Sequence, residues 1–135
     1  MIKNQKFRKS ERLCKKKFID ELFRTGNSFF SYPFRIVWLP VEEPGYQPAQ
    51  VAISVQKRLF RKAVQRNLIK RRIKEAYRRN KAELYFELES EGHRVVFFLI
   101  YTASTILSYK EIEQKIIIAL SRLKEEIAGM YAKRT

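Results

Sequence analysis

Apolar residues first fall into a helical rhythm at Ile19, Leu22 and Phe23, spaced three and four apart, which predicts a helix over about residues 15–24. Gly26 stands where such a helix would stop in a left-handed turn. After Pro33 the period changes to two. Phe34, Ile36 and Trp38 share one face of a predicted strand over 34–39, and Arg35, Val37 and Leu39 share the other. Pro40, Pro44, Gly45 and Pro48 mark a loop. A second strand, over about 50–56, sets Val51, Ile53 and Val55 against Ala52, Ser54 and Gln56. The helical period returns over 62–80, where Ile69, Ile73, Ala76 and Tyr77 form one stripe opposite Asn67, Lys70, Arg71, Lys74 and Arg78. Residues Glu83 to Glu91 read as a charged linker, ended by Gly92. The run 94–101 is apolar at nearly every position and predicts a central strand with both faces covered or partly covered. Ser108 and Glu111 form a capping box, and the helix it opens turns Ile112, Ile116, Ala119, Leu120, Leu123 and Ile127 inward.

The predicted order is helix, strand, strand, helix, strand, helix (αββαβα). It implies an α+β fold, a two-layer α/β sandwich in which both long helices pack on one face of a small mixed sheet. The other face would stay open or be partly flanked by the first helix. The chain's 135 residues suit a single domain over 11–128, with a flexible basic arm over 1–10 and a loose C-terminal tail over 129–135. No internal repeat is present.

Charge changes the picture more than composition does. The formal net charge is +15, and it is concentrated in two places. Residues 57–81 hold twelve Lys and Arg against the single acid Glu75, and residues 1–17 hold eight against one. The remainder is slightly acidic. Because the cations of 57–81 share a helix face, they predict a folded basic surface for a polyanion, nucleic acid above all. A solubilising face would mix both signs. No apolar run reaches the roughly 18–20 residues that span a bilayer, and no signal peptide is evident. The lone Cys14 fits a reducing compartment, so a cytoplasmic location is expected.

The usual parts of a protein catalyst are missing. His93 is the only histidine and sits beside Gly92, where a turn residue is the simpler reading. Cys14 precedes three lysines, yet reads as a small residue at a helix start. Glu83, Glu87, Glu89 and Glu91 read as a solvated connector rather than a metal cage, and the four glycines form no phosphate loop. Lys and Arg at one-turn spacing, by contrast, match phosphates along a backbone. The setting of that helix within an α/β pattern favours structured RNA over a DNA duplex. Phe34 and Trp38 read as core, whereas Phe29, Phe30 and Tyr32 are left open between core and a base-stacking platform.

The block Ser54-Val55-Gln56-Lys57-Arg58, then Ala63-Val64-Gln65-Arg66-Asn67-Leu68-Ile69-Lys70-Arg71, then Glu75-Ala76-Tyr77-Arg78, resembles the signature of the bacterial ribonuclease P protein subunit. Arg12-Leu13 and Leu22-Phe23-Arg24-Thr25-Gly26 are similar to that family's first helix, so the resemblance covers about residues 10–128. It implies a left-handed βαβ crossover, and a non-catalytic protein subunit of an endoribonuclease that removes the 5′ leader of precursor tRNA. The chemistry would be carried by the catalytic RNA, with Mg²⁺ held mainly by that RNA. The implied partners are the catalytic RNA and precursor tRNA, with no membrane and no obligate protein partner.

By position, the resemblance assigns RNA contacts to Lys57, Arg58, Lys62, Arg66, Asn67, Lys70, Arg71, Lys74 and Arg78. It assigns a substrate-leader cleft to Ile19, Phe23, Arg35, Val37 and Ser54. Three departures stand out. Leu68 replaces the second Arg of the family's Arg-Asn-Arg and is expected to pack. Leu59-Phe60-Arg61 replaces a Gly-containing turn, and Ile19 stands where Phe is common. The rival readings are a structural RNA-binding protein, such as a ribosomal component, and a DNA-binding regulator.

Overall fold

A mixed four-stranded sheet in the order β1-β2-β4-β3 organises the molecule in a computed structural model that describes residues 7, 9–13, 15–42 and 47–134. The helices are α1 (Lys16–Thr25), α2 (Ala63–Asn80), α3 (Ala82–Glu91) and α4 (Tyr109–Arg134), after a 3₁₀ turn at Lys9–Glu11. The strands are β1 (Asn27–Ser31), β2 (Phe34–Pro40), β3 (Ala49–Val55) and β4 (Val95–Tyr101). β4 pairs antiparallel with β2 and parallel with β3. The α+β class and the mixed sheet agree with the periodicity. Two elements are additional: β1 and α3.

β1 is short, and its polar ends hide the alternation around Phe29 and Phe30. It pairs with β2 across a tight turn at Tyr32-Pro33, whose peptide bond is cis. α3 corrects the expected linker. Its acids lie on the exposed side, while Leu84, Tyr85 and Leu88, at helical spacing, are buried. Gly92 then ends α3 in the left-handed conformation (φ 68°), with its N–H on the Glu89 carbonyl and that of His93 on Leu88.

Gly26, where the left-handed stop was expected, is extended (φ −67°, ψ 149°). Its need for glycine is spatial. A Cβ there would lie 2.5 Å from the Leu22 carbonyl oxygen and 2.8 Å from Val37 Cγ1.

The main core fills the space between one sheet face and α2, α3 and α4. Phe34, Ile36, Trp38, Phe97, Leu99 and Tyr101 meet Ile69, Ile73, Ala76, Tyr77, Ile112 and Ile116 there, all at 2% exposure or less. A smaller cluster beneath α1 joins Leu13, Phe18 and Leu22 to Val37 and Val96 on the second face. The capping box forms as expected, with Ser108 Oγ accepting the Glu111 N–H at 3.2 Å and Glu111 Oε1 accepting the Ser108 N–H at 3.3 Å.

Described residues near both chain ends make contacts with the domain. α4 continues to Arg134, Met130 and Tyr131 pack against the core, and the Tyr131 ring stacks on His93 at 3.6 Å. Of the expected arm, Phe7 meets Tyr77 edge-on at 5.8 Å and Ser10 accepts a hydrogen bond from Gln50. Residues 1–6 and 8, Cys14, loop residues 43–46 and Thr135 lie outside the described residues.

Just past the arm, Glu11 is buried and accepts hydrogen bonds from Lys81 Nζ and Tyr85 Oη, each at 2.6 Å. Lys81 is therefore a structural cation within the basic segment. Low dielectric makes such a pair costly to break.

Candidate nucleic-acid interface

α2 enters through a braced turn. Phe60 inserts into the core 6.2 Å from the Tyr101 ring, and Arg66 Nη1 donates to the carbonyls of Phe60 (2.7 Å) and Arg61 (2.9 Å). The unusual Leu59-Phe60-Arg61 junction is thus a core plug held by an arginine from the next turn. No side chain caps the N-terminus of α2, which leaves its first N–H groups and the positive end of its dipole beside the cations of the junction.

The predicted basic face is present on α2. Lys57, Arg58, Lys62, Asn67, Arg71 and Lys74 are exposed, and Arg66, Lys70 and Arg78 are half-buried. Ile69, Ile73, Ala76 and Tyr77 on the opposite side are fully buried. Among the described residues, three of the predicted contact residues are already engaged, Arg58 Nε donating to Gln56 Oε1 at 3.2 Å. Arg66 braces the junction, and Arg78 grips Glu75 with two bonds of 2.8 Å. That fork holds the Glu75 carboxyl below its ordinary value. Arg72, which carries no predicted contact, donates to the Leu107 carbonyl at 2.6 Å and ties α2 to the start of α4. Leu68 is half-buried on the flank between the two faces.

The second sheet face carries the residues that the resemblance assigns to a cleft. Paired residues point to the same side, so the register sets Phe30, Arg35, Ile100 and Ser54 in one row and Ser28, Val37, Phe98 and Ala52 in the next. α1 covers only part of this face. Phe23, 67% exposed, leans on Phe98 with ring centroids 5.1 Å apart, and Ile19 is half-buried beside it. Arg35 is exposed and Ser54 half-buried on this face.

Val37 is a correction. It is 8% exposed, lies under α1 and touches the Gly26 backbone region, so it serves as packing and not as a cleft wall. Phe98 and Ile100 occupy the face in its place. β4 is apolar throughout, so periodicity could not show which of its residues look outward. None of the four strands carries an acid, and Arg35 is their only charged side chain.

A mixed sheet with a cationic helix on one side and a partly open face of acid-free strands on the other defines a basic α+β protein. The ribonuclease P family model matches residues 7–124. The ribonuclease P protein component of Porphyromonas gingivalis strain W83 is 31% identical over 125 residues, spanning 93% of this chain and 91% of that one. That of Petrotoga mobilis is 36% identical over 96 residues, 71% of this chain and 74% of the other. This chain belongs to the ribonuclease P protein family.

Solved structures agree in fold. A Staphylococcus aureus RNase P protein mutant with defective mRNA degradation activity superposes with a TM-score of 0.70 at 23% identity, covering 86% of this chain and 90% of that one. The Thermotoga maritima RNase P protein gives 0.62 at 21% identity, covering 83% and 96%. Among the described residues no helix is long and apolar enough to cross a membrane.

Proposed function

We propose that this chain is the protein subunit of ribonuclease P, binding the catalytic RNA through α2 and the 5′ leader of precursor tRNA across the open sheet face. One observation carries this: a single helix is anchored by a fully buried stripe and presents cations on its other side, while the opposite face of the sheet offers a partly open floor of acid-free strands. Lys57, Arg58, Lys62, Asn67, Lys70, Arg71 and Lys74 position phosphates of the catalytic RNA. Arg66 shapes the junction and Arg78 joins when it releases Glu75. Ile19, Phe23, Arg35, Ser54, Phe98 and Ile100 receive the leader, with Arg35 facing its phosphates.

The protein positions substrate and the RNA performs the cleavage. Among the described residues no three His, Cys, Asp or Glu gather as metal ligands, and the helix face proposed to meet the RNA is cationic. On this reading the RNA would hold the Mg²⁺, which would supply activation of water and offset developing charge there.

The test is single-turnover cleavage of precursor tRNA. The protein alone should leave the substrate intact, and adding it to its RNA should tighten substrate binding and lower the Mg²⁺ requirement. Correct 5′ cleavage by the protein alone would refute the assignment. So would co-purification with ribosomal RNA in place of ribonuclease P RNA.

A further inference from the structure

The geometry points to a second base-stacking site for single-stranded RNA at the β1 edge of the open face, formed by Phe30 and Tyr32. It rests on the cleft reading above and extends the leader's path beyond that cleft. Phe30 is 54% exposed and Tyr32 is 52% exposed, with ring centroids 6.4 Å apart at 60°. Phe30 pairs with Arg35, which sets it on the same face and in the same row as Ile100 and Ser54.

The backbone that carries these rings is held firmly. The neighbouring Phe29 is in the core, with the Arg122 guanidinium 4.6 Å over its ring. Arg122 Nη1 donates to the Phe30 carbonyl at 2.8 Å. The Pro33 carbonyl accepts from both the N–H (2.8 Å) and the Oγ1 (2.9 Å) of Thr102. Two large rings exposed side by side on a pinned edge mark a binding surface more than a packing defect.

Any base has a π-face, so exposed aromatics beside a cation suit a single strand of nucleic acid without demanding a sequence. Phe98 lies two strands and one row from Phe30. Strand and residue spacings put the two aromatic pairs about 12 Å apart. A leader leaving the Phe23–Phe98 pair would pass Arg35 with its phosphates and reach Phe30 and Tyr32 with its next bases. The acid-free strands put no negative charge along that path.

The experiment uses the holoenzyme reconstituted with its RNA and precursor tRNAs whose leaders lengthen one nucleotide at a time. Affinities are measured for the wild type, the Phe30→Ala/Tyr32→Ala pair, the Phe30→Trp/Tyr32→Phe pair and Phe23→Ala. The alanine pair should weaken binding about tenfold, the scale of one lost stacking contact, only once the leader is long enough to leave the cleft. The aromatic pair should retain wild-type affinity. Unchanged long-leader binding in the alanine pair, with Phe23→Ala still impaired, would overturn the second site and leave the cleft standing. Equal losses at every leader length would also overturn it, placing these rings against another part of the complex. No leader-dependent loss in any variant, Phe23→Ala included, would remove the cleft and the second site together.

Discussion

Glu11 shows how a single residue can reassign a charge that a sequence count gives to RNA. Its carboxylate, 1% exposed, holds Lys81 and Tyr85 and so locks the segment before α1 to the junction of α2 and α3. Removing one partner leaves an uncompensated buried charge, and Glu11→Ala should cost about 3–5 kcal/mol in urea unfolding. Gly26→Ala tests a different cause. A Cβ 2.5 Å from the Leu22 oxygen and 2.8 Å from Val37 Cγ1 must distort the end of α1 and part it from β2, so about 1–3 kcal/mol of destabilisation is expected in the same assay. Both glycines that end helices were visible in the sequence. Composition does not distinguish the one needed for φ, Gly92, from the one needed for space, Gly26, because the distinction lies in Val37 across the interface.

The two sides of α2 should separate cleanly by mutation. Ile73→Ala, at a fully buried site, should lower stability by about 2–5 kcal/mol and leave the salt dependence of RNA binding unchanged. Lys70→Ala, Arg71→Ala and Lys74→Ala should do the reverse. Each should reduce the slope of log affinity against log salt by about 0.7–0.9, with little effect on thermal unfolding. α2, α4 and strands β2 to β4 were legible because each keeps one period long enough to define a face. β1 is only Asn27–Ser31, too short for alternation to register, and the acids of α3 mask the spacing of Leu84, Tyr85 and Leu88. On the open sheet face, period two marked Arg35 and Ser54 as outward, whereas β4 gave no such sign because every residue in it is apolar.

At the scale of the whole molecule, burial couples stability to alkaline pH. Tyr77 and Tyr85 lie in the core with their hydroxyls 3.0 Å apart. Burial raises both phenols above their ordinary value of 10.0, so the folded state favours the neutral form. The contribution of these two groups is therefore fully present below pH 10.0 and is lost progressively above it. Phenolate absorbance should show these two tyrosines ionising only with cooperative unfolding, and their titration while circular dichroism stays native would contradict their burial. The sequence by itself determined the class of fold, the basic helix and its two faces, and the family motif, because periodicity and charge are local properties. Tertiary structure decided which cations are spent on structure, that Val37 belongs under α1, and that β1 carries exposed rings beside Arg35. Those outcomes depend on which strand lies next to which and on what covers each face. They are contacts between residues distant in the chain, and no local period encodes them.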